Sequence, residues 1–183
     1  MPSKFVGQQE ALAFTELSYP TFYALADNVQ CAQNKSHISI MNNSGSGVSV
    51  AVRKLFPISN QLTAATGVGC RFELHKITAH TSGSDITPLA CDSSNSLPAL
   101  ITVKSAATIT GTTLVFPINM PNDEIGATGA FPTATIAAGT NWIPEADGME
   151  YFTLRSGEGI SVKQITSSTV GYFSWLIVFT VSG

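Results

Sequence analysis

Gly171-Tyr172-Phe173-Ser174-Trp175-Leu176-Ile177-Val178-Phe179-Thr180-Val181 is the segment that decides the fold. Side chains alternate across a β-strand with period two. Phe173, Trp175, Ile177, Phe179 and Val181 therefore share one face, which must point into a core. The other face carries Tyr172, Leu176 and Val178, interrupted by Ser174. A strand with one wet face would be polar there. Apolar groups on both faces imply that the second is covered too, by an arm, a loop or another subunit.

Neighbouring segments extend the β pattern. Tyr151 to Leu154 reads as a strand, Arg155-Ser156-Gly157-Glu158-Gly159 as a turn, and Ile160 to Gln164 as the returning strand. His37 to Met41 is another, closed by the turn-rich Asn42-Asn43-Ser44-Gly45-Ser46-Gly47. Val48, Val50 and Val52 then alternate with Ser49, Ala51 and Arg53, which predicts a hairpin with the preceding run. Pro57 supplies no ladder donor and is expected to end that strand.

Val68 to His80 gives a middle strand with Phe72 and Leu74 on one face and Arg71, Glu73 and His75 on the other. Ile77 falls out of phase with Leu74, which predicts a bulge or bend near Lys76. The three polar residues are expected to form cross-strand ion pairs or line a shallow groove. Thr81 to Leu97 reads as a long loop with a short paired piece at Ile86-Thr87, followed by short strands over Leu100 to Val103 and Thr113 to Phe116.

About eight strands separated by Gly, Pro, Ser and Asn turns, without a long helical pattern, predict an all-β fold: an antiparallel β-sandwich, jelly-roll-like. The reading places an N-terminal arm, with a short helical turn near Glu10 to Leu17, over residues 1–36. The sandwich domain follows over 37–183, with an irregular Pro- and Gly-rich loop at 117–144. Phe5, Phe14, Tyr19, Phe22 and Tyr23 in the arm, with Phe131 and Trp142 in the loop, are the expected interface residues. Aromatic side chains bury much area per frozen rotamer.

Composition bears on function. The 183 residues suffice for one core-forming domain. Charged residues make up 11%, against the ~25% usual in soluble domains. Twenty serines and twenty threonines stand in their place. A surface of hydroxyls and amides packs against its own copies with few charges to desolvate. The net charge of −3 comes without a Lys/Arg run, so no nucleic-acid partner is expected. No apolar run reaches the ~18 residues of a membrane helix, and the N-terminus is unlike a secretory leader. Cys31, Cys70 and Cys91 cannot all pair within one chain and match no zinc spacing, so three reduced thiols are expected.

Catalytic chemistry is poorly supplied. His75 and His80, five apart, point to opposite faces of a regular strand. Only a bulge would bring them together as metal ligands, with His37 or Asp85 as the third. The carboxylates Asp123, Glu124, Asp147 and Glu150 are scattered, and no serine sits in a nucleophile elbow. The expectation is a non-enzymatic protein with no cofactor and no metal.

Phe72-Glu73-Leu74-His75-Lys76-Ile77-Thr78, Leu154-Arg155-Ser156-Gly157-Glu158-Gly159-Ile160-Ser161-Val162-Lys163-Gln164 and the final Phe179-Thr180-Val181 carry a resemblance. About a third of the chain resembles tailed-phage virion proteins, namely β-sandwich head-decoration or related accessory proteins. That resemblance implies a virion structural protein made in the host cytoplasm, homo-oligomeric and packed with other virion proteins in many copies. The alternative is a carbohydrate- or receptor-binding β module of a tail or fibre, with glycan as its partner.

Overall fold

The computed structural model describes residues 19–59, 71–119, 152–167 and 171–183. They form an all-β fold of thirteen strands in three antiparallel sheets. The strands are β1 (Thr21–Gln30), β2 (Ser36–Asn42), β3 (Ser49–Ser59), β4 (Arg71–Ile77), β5 (Ala79–Thr81), β6 (Ser84–Ile86) and β7 (Leu89–Ala90). Then come β8 (Ile101–Ser105), β9 (Thr108–Thr110), β10 (Thr113–Asn119), β11 (Phe152–Leu154), β12 (Glu158–Gln164) and β13 (Tyr172–Ser182).

One sheet runs β11-β3-β13-β1-β7, a second β10-β4-β12-β2-β8-β6, and β5 pairs with β9 alone. The pairing is nested. β1 pairs with β13, β2 with β12, β3 with β11 and β4 with β10, so partners draw closer in sequence towards the middle of the chain. The ladders β13–β3 and β12–β4 join these pairs side by side.

The two larger sheets share one apolar cluster. The inward row of β13, from Phe173 to Val181, is buried as its alternation requires, and Trp175 and Phe179 are fully enclosed. Phe72 of β4 meets Phe173 and Trp175 edge-on, with ring centroids 5.1 and 5.2 Å apart. Edge-to-face pairs add about 0.5–1.5 kcal/mol each beyond the area they bury. Ile38 and Ile40 of β2, Val50, Val52 and Leu55 of β3, and Ile160 and Val162 of β12 complete the centre.

Several connections differ from the sequence reading. The strands on either side of Asn42–Gly47 do not form a hairpin; β2 and β3 lie in different sheets. The same holds for β11 and β12 around Arg155–Gly157. Both turns are crossovers, and they bind each other. Asn42 Nδ2 donates to the carbonyls of Val48 and Leu154, Gly157 N donates to Asn42 O, and Gly45 N donates to Ser156 Oγ. Turn residues mark where a chain changes direction; they do not select its ladder partner.

Pro57 does not end β3, which continues to Ser59. Beyond Val52, β13 alone flanks the strand among the described residues, and a proline is tolerated where only one side is paired. The shift in pattern at Leu55 comes from a bulge that leaves Arg53 unmatched and turns Leu55 inward after Val52. Near Lys76 the chain bends, at Thr78 between β4 and β5, and β4 itself carries no bulge. β4 pairs regularly with β12, and the irregularity lies opposite it on β10, between Leu114 and Phe116. In the stretch after Thr81 the short paired piece expected at Ile86-Thr87 is β6, whose Ile86 pairs with Val103 of β8, and a second piece not expected there, β7, pairs with β1.

Within the segment read as an arm, Thr21 to Gln30 is a strand flanked by β13 and β7. The helical turn expected near Glu10 to Leu17 lies outside the described residues, as does most of the 117–144 loop, whose first residues belong to β10.

Candidate functional site

The outer side of the β13 sheet carries the most unusual chemistry among the described residues. Along β1, Phe22, Ala24 and Ala26 point inward and are buried, so Tyr23 and Leu25 point outward. Register places Tyr23 opposite Val178 and Leu25 opposite Leu176 on β13. On the far side Leu176 faces Phe56, Val178 faces Lys54 and Ser174 faces Ile58. Leu89 of β7 lies beside Tyr23, and Tyr172 occupies the next outward position of β13. Tyr23, Leu25, Ile58, Leu89 and Tyr172 are 37–55% exposed, while Leu176, Val178 and Phe56 are half-buried. This is a continuous apolar face across four strands, with Lys54 the one charged side chain among the positions just named.

Polar groups bound the face. Two residues of β1, Asp27 and Asn28, bulge opposite Ser174. Ser174 Oγ donates to Asp27 Oδ1 at 2.6 Å and accepts from Asn28 N at 3.0 Å. Near the other end Arg53 Nε donates to Thr180 Oγ1 at 3.1 Å. Ser174 and Thr180 are buried by these contacts, which explains how hydroxyls are accommodated in an otherwise apolar strand.

On the β12 sheet, polar side chains pair with one another. Glu73 accepts from Arg71 Nη2 at 3.1 Å and from His75 Nε2 at 3.0 Å. The expected ion pairing is thus realised along β4 instead of across strands. His80 sits between Ser39 Oγ and Thr102 Oγ1, 2.8 Å from each, and Lys104 pairs with Asp85. The pKa of His80 is lowered to about 4, chiefly by burial and then by the Lys104 ammonium, with Asp85 opposing.

The three histidines do not converge. His37 lies in the core, its ring edge-on to Phe72 at 4.9 Å. His75 is held by Glu73, and His80 holds the β5–β9 ladder to β2 and β8. Among the described residues no three His, Cys, Asp or Glu side chains gather as metal ligands.

Of the expected interface residues, Phe22 is inside the chain's own core, 1% exposed and stacked on Phe179 at 5.7 Å. It anchors β1 to β13 because its even position faces inward. Tyr23 is on the apolar face. Tyr19 is exposed and lines a cleft of about 350 Å³ with Pro20, Ser96, Pro98 and the backbone end at Gly183. Phe5, Phe14, Phe131 and Trp142 lie outside the described residues. Leu25, Phe56, Ile58 and Leu89 were not singled out from sequence. The signal for them was the second apolar face of β13, whose neighbours only register could identify. Comparison with family profiles, curated proteins and solved structures found no match for this chain.

Proposed function

We propose that this chain is a virion structural protein that packs in many copies on a capsid or associated particle. The apolar outer face of the β13 sheet is the observation that carries this reading. Contiguous exposed apolar surface marks association sites, and a chain with 11% charged residues meets its own copies at little electrostatic cost.

The architecture supports the reading. The nested partners β1–β13, β2–β12, β3–β11 and β4–β10 are those of a long antiparallel hairpin rolled across two sheets. That is the logic of the eight-stranded jelly roll, and β5 to β9 then form an insertion between its two halves. The edge-on contacts of Phe72 with Phe173 and Trp175 suit two sheets packed as a sandwich. Jelly rolls serve in capsids, lectins and cupins, so the fold alone selects no function. An apolar outer face favours packing over catalysis. On this reading the protein is not an enzyme and needs no cofactor. Its partners are its own copies and other virion proteins, and it is made in the host cytoplasm.

Quantitative mass spectrometry of purified particles tests this directly. Stoichiometric copies in the particle support it; recovery of the protein only outside particles overturns it. A second reading, a carbohydrate-binding module of a tail or fibre, is favoured by the cleft in which the exposed ring of Tyr19 stands beside Pro20 and Pro98. Specific glycan binding lost in Tyr19→Ala would select that reading instead.

A further inference from the structure

We infer that the outer face of the β13 sheet is a contact between two copies of this chain, formed face against face around Leu25, Leu176 and Val178. The inference rests on the many-copy reading above and adds the surface and the partner.

The size of the face argues first. The outward positions of β1, β13 and β3, with Leu89 of β7, each about 4.8 by 6.7 Å, give a plane of roughly 500 Å², about half of it apolar. Two such planes in contact bury about 1,000 Å² in total, the threshold at which specific association separates from chance contact. A pair of that size is weak and concentration-dependent, as suits a contact made between crowded neighbours.

Its chemistry argues for the identity of the occupant. An acidic or basic partner needs a cluster of one charge to read, and here Lys54 lies beside Val178 while Arg53 and Asp27, of opposite sign, sit towards opposite ends and bond Thr180 and Ser174. The centre is aliphatic, with Tyr23 and Tyr172 towards its flanks. Association interfaces have an apolar centre within a polar rim. A second copy presents the same centre, and a two-fold axis through Leu176 matches aliphatic to aliphatic without bringing the two lysines together at the centre.

The experiment is sedimentation velocity on the full chain across a wide concentration series, with Leu25→Glu and Leu89→Ser as variants. Leu25 and Leu89 are 43% and 55% exposed, so folding tolerates their replacement. The expected result is a reversible dimer weakened at least about tenfold by Leu25→Glu. Leu89→Ser at the rim weakens it less, and both variants keep the wild-type circular dichroism. A chain that stays monomeric throughout, or a dimer indifferent to both variants, overturns the inference. Neither result bears on whether the protein is counted in particles, so this contact and the virion reading fail separately. Should Leu25→Glu prove unstable, Leu89→Ser with Tyr23→Ser gives the same readout.

Discussion

His37 Nε2 lies 3.0 Å from the side-chain oxygen of Gln164, and that oxygen also accepts from Ala32 N. A carboxamide oxygen only accepts, so the imidazole proton is on Nε2. Nδ1 is buried and has no hydrogen-bond partner among the described residues. A bulge in β2 opposite Val162–Lys163 turns this residue into the core. Burial, opposed by the Gln164 bond and reinforced by Lys35, lowers its pKa from 6.5 to about 4.

Acid should therefore destabilise the protein already between pH 6.5 and 4. Between pH 6.5 and 4 the unfolded chain binds a proton that folded His37 refuses. The stability is fully present above the unfolded pKa and is lost as pH falls towards the folded one. From pH 7.5 to 5 the loss is about 2 kcal/mol for His37, and His80 acts in the same direction. Urea midpoints across this range check it, and His37→Gln should flatten the dependence.

Gly159 is dictated by crowding and Gly157 by backbone conformation. A Cβ on Gly159 would sit 2.5 Å from Ile40 O and also strike the Met41 sulfur, and backbone cannot yield. Gly159→Ala should cost roughly 1–3 kcal/mol. Gly157 has open space but φ of +87°, so Gly157→Asn, which tolerates that region, should be much milder than Gly157→Val. Chemical denaturation of the set separates the two causes.

His80→Ala should free the β5–β9 ladder while leaving both larger sheets intact. Its two 2.8 Å bonds to Ser39 and Thr102 fix that ladder to β2 and β8. Losing them is worth about 1–2 kcal/mol. Amide exchange should rise roughly tenfold or more at Ala79–Thr81 and Thr108–Thr110, with the amides of β13 unchanged.

Phe22→Ala should act on folding rather than on association. The ring is buried against Phe179, so its loss costs about 3–5 kcal/mol. A thermal melt will show this loss. Leu25→Glu, three positions along the same strand, should leave the melt nearly unchanged.

How much was legible depended on contrast between faces. β13 was readable because its inward row is uniformly large, and β4 because Phe72 and Leu74 stand against Arg71, Glu73 and His75. β1 was not, because its inward Ala24 and Ala26 are smaller than its outward Tyr23 and Leu25, which inverts the usual pattern. Strands of two or three residues, such as β7, carry too few positions to show a period. Partner choice was the largest gap. The crossovers at Asn42–Gly47 and Arg155–Gly157 have hairpin composition, and bonds between them, over a hundred residues apart, set their course. The apolar face was half visible, through Leu176 and Val178, and was completed by strands that only register brings alongside.

The nesting of partners also sets a timetable. β13 is inserted between β1 and β3, and β12 between β2 and β4, so neither large sheet can close until residues far along the chain arrive. Such distant pairings fold slowly, in milliseconds to seconds. During synthesis β1 and β3 wait with a vacant lane between them, and the only strand that fits it is a β13. In a cell making many copies at once, a neighbour's β13 reaches that lane as readily as the chain's own, so exchanged strands are the characteristic error of this topology. Slow translation or dilute expression should then raise the yield of correctly closed chains.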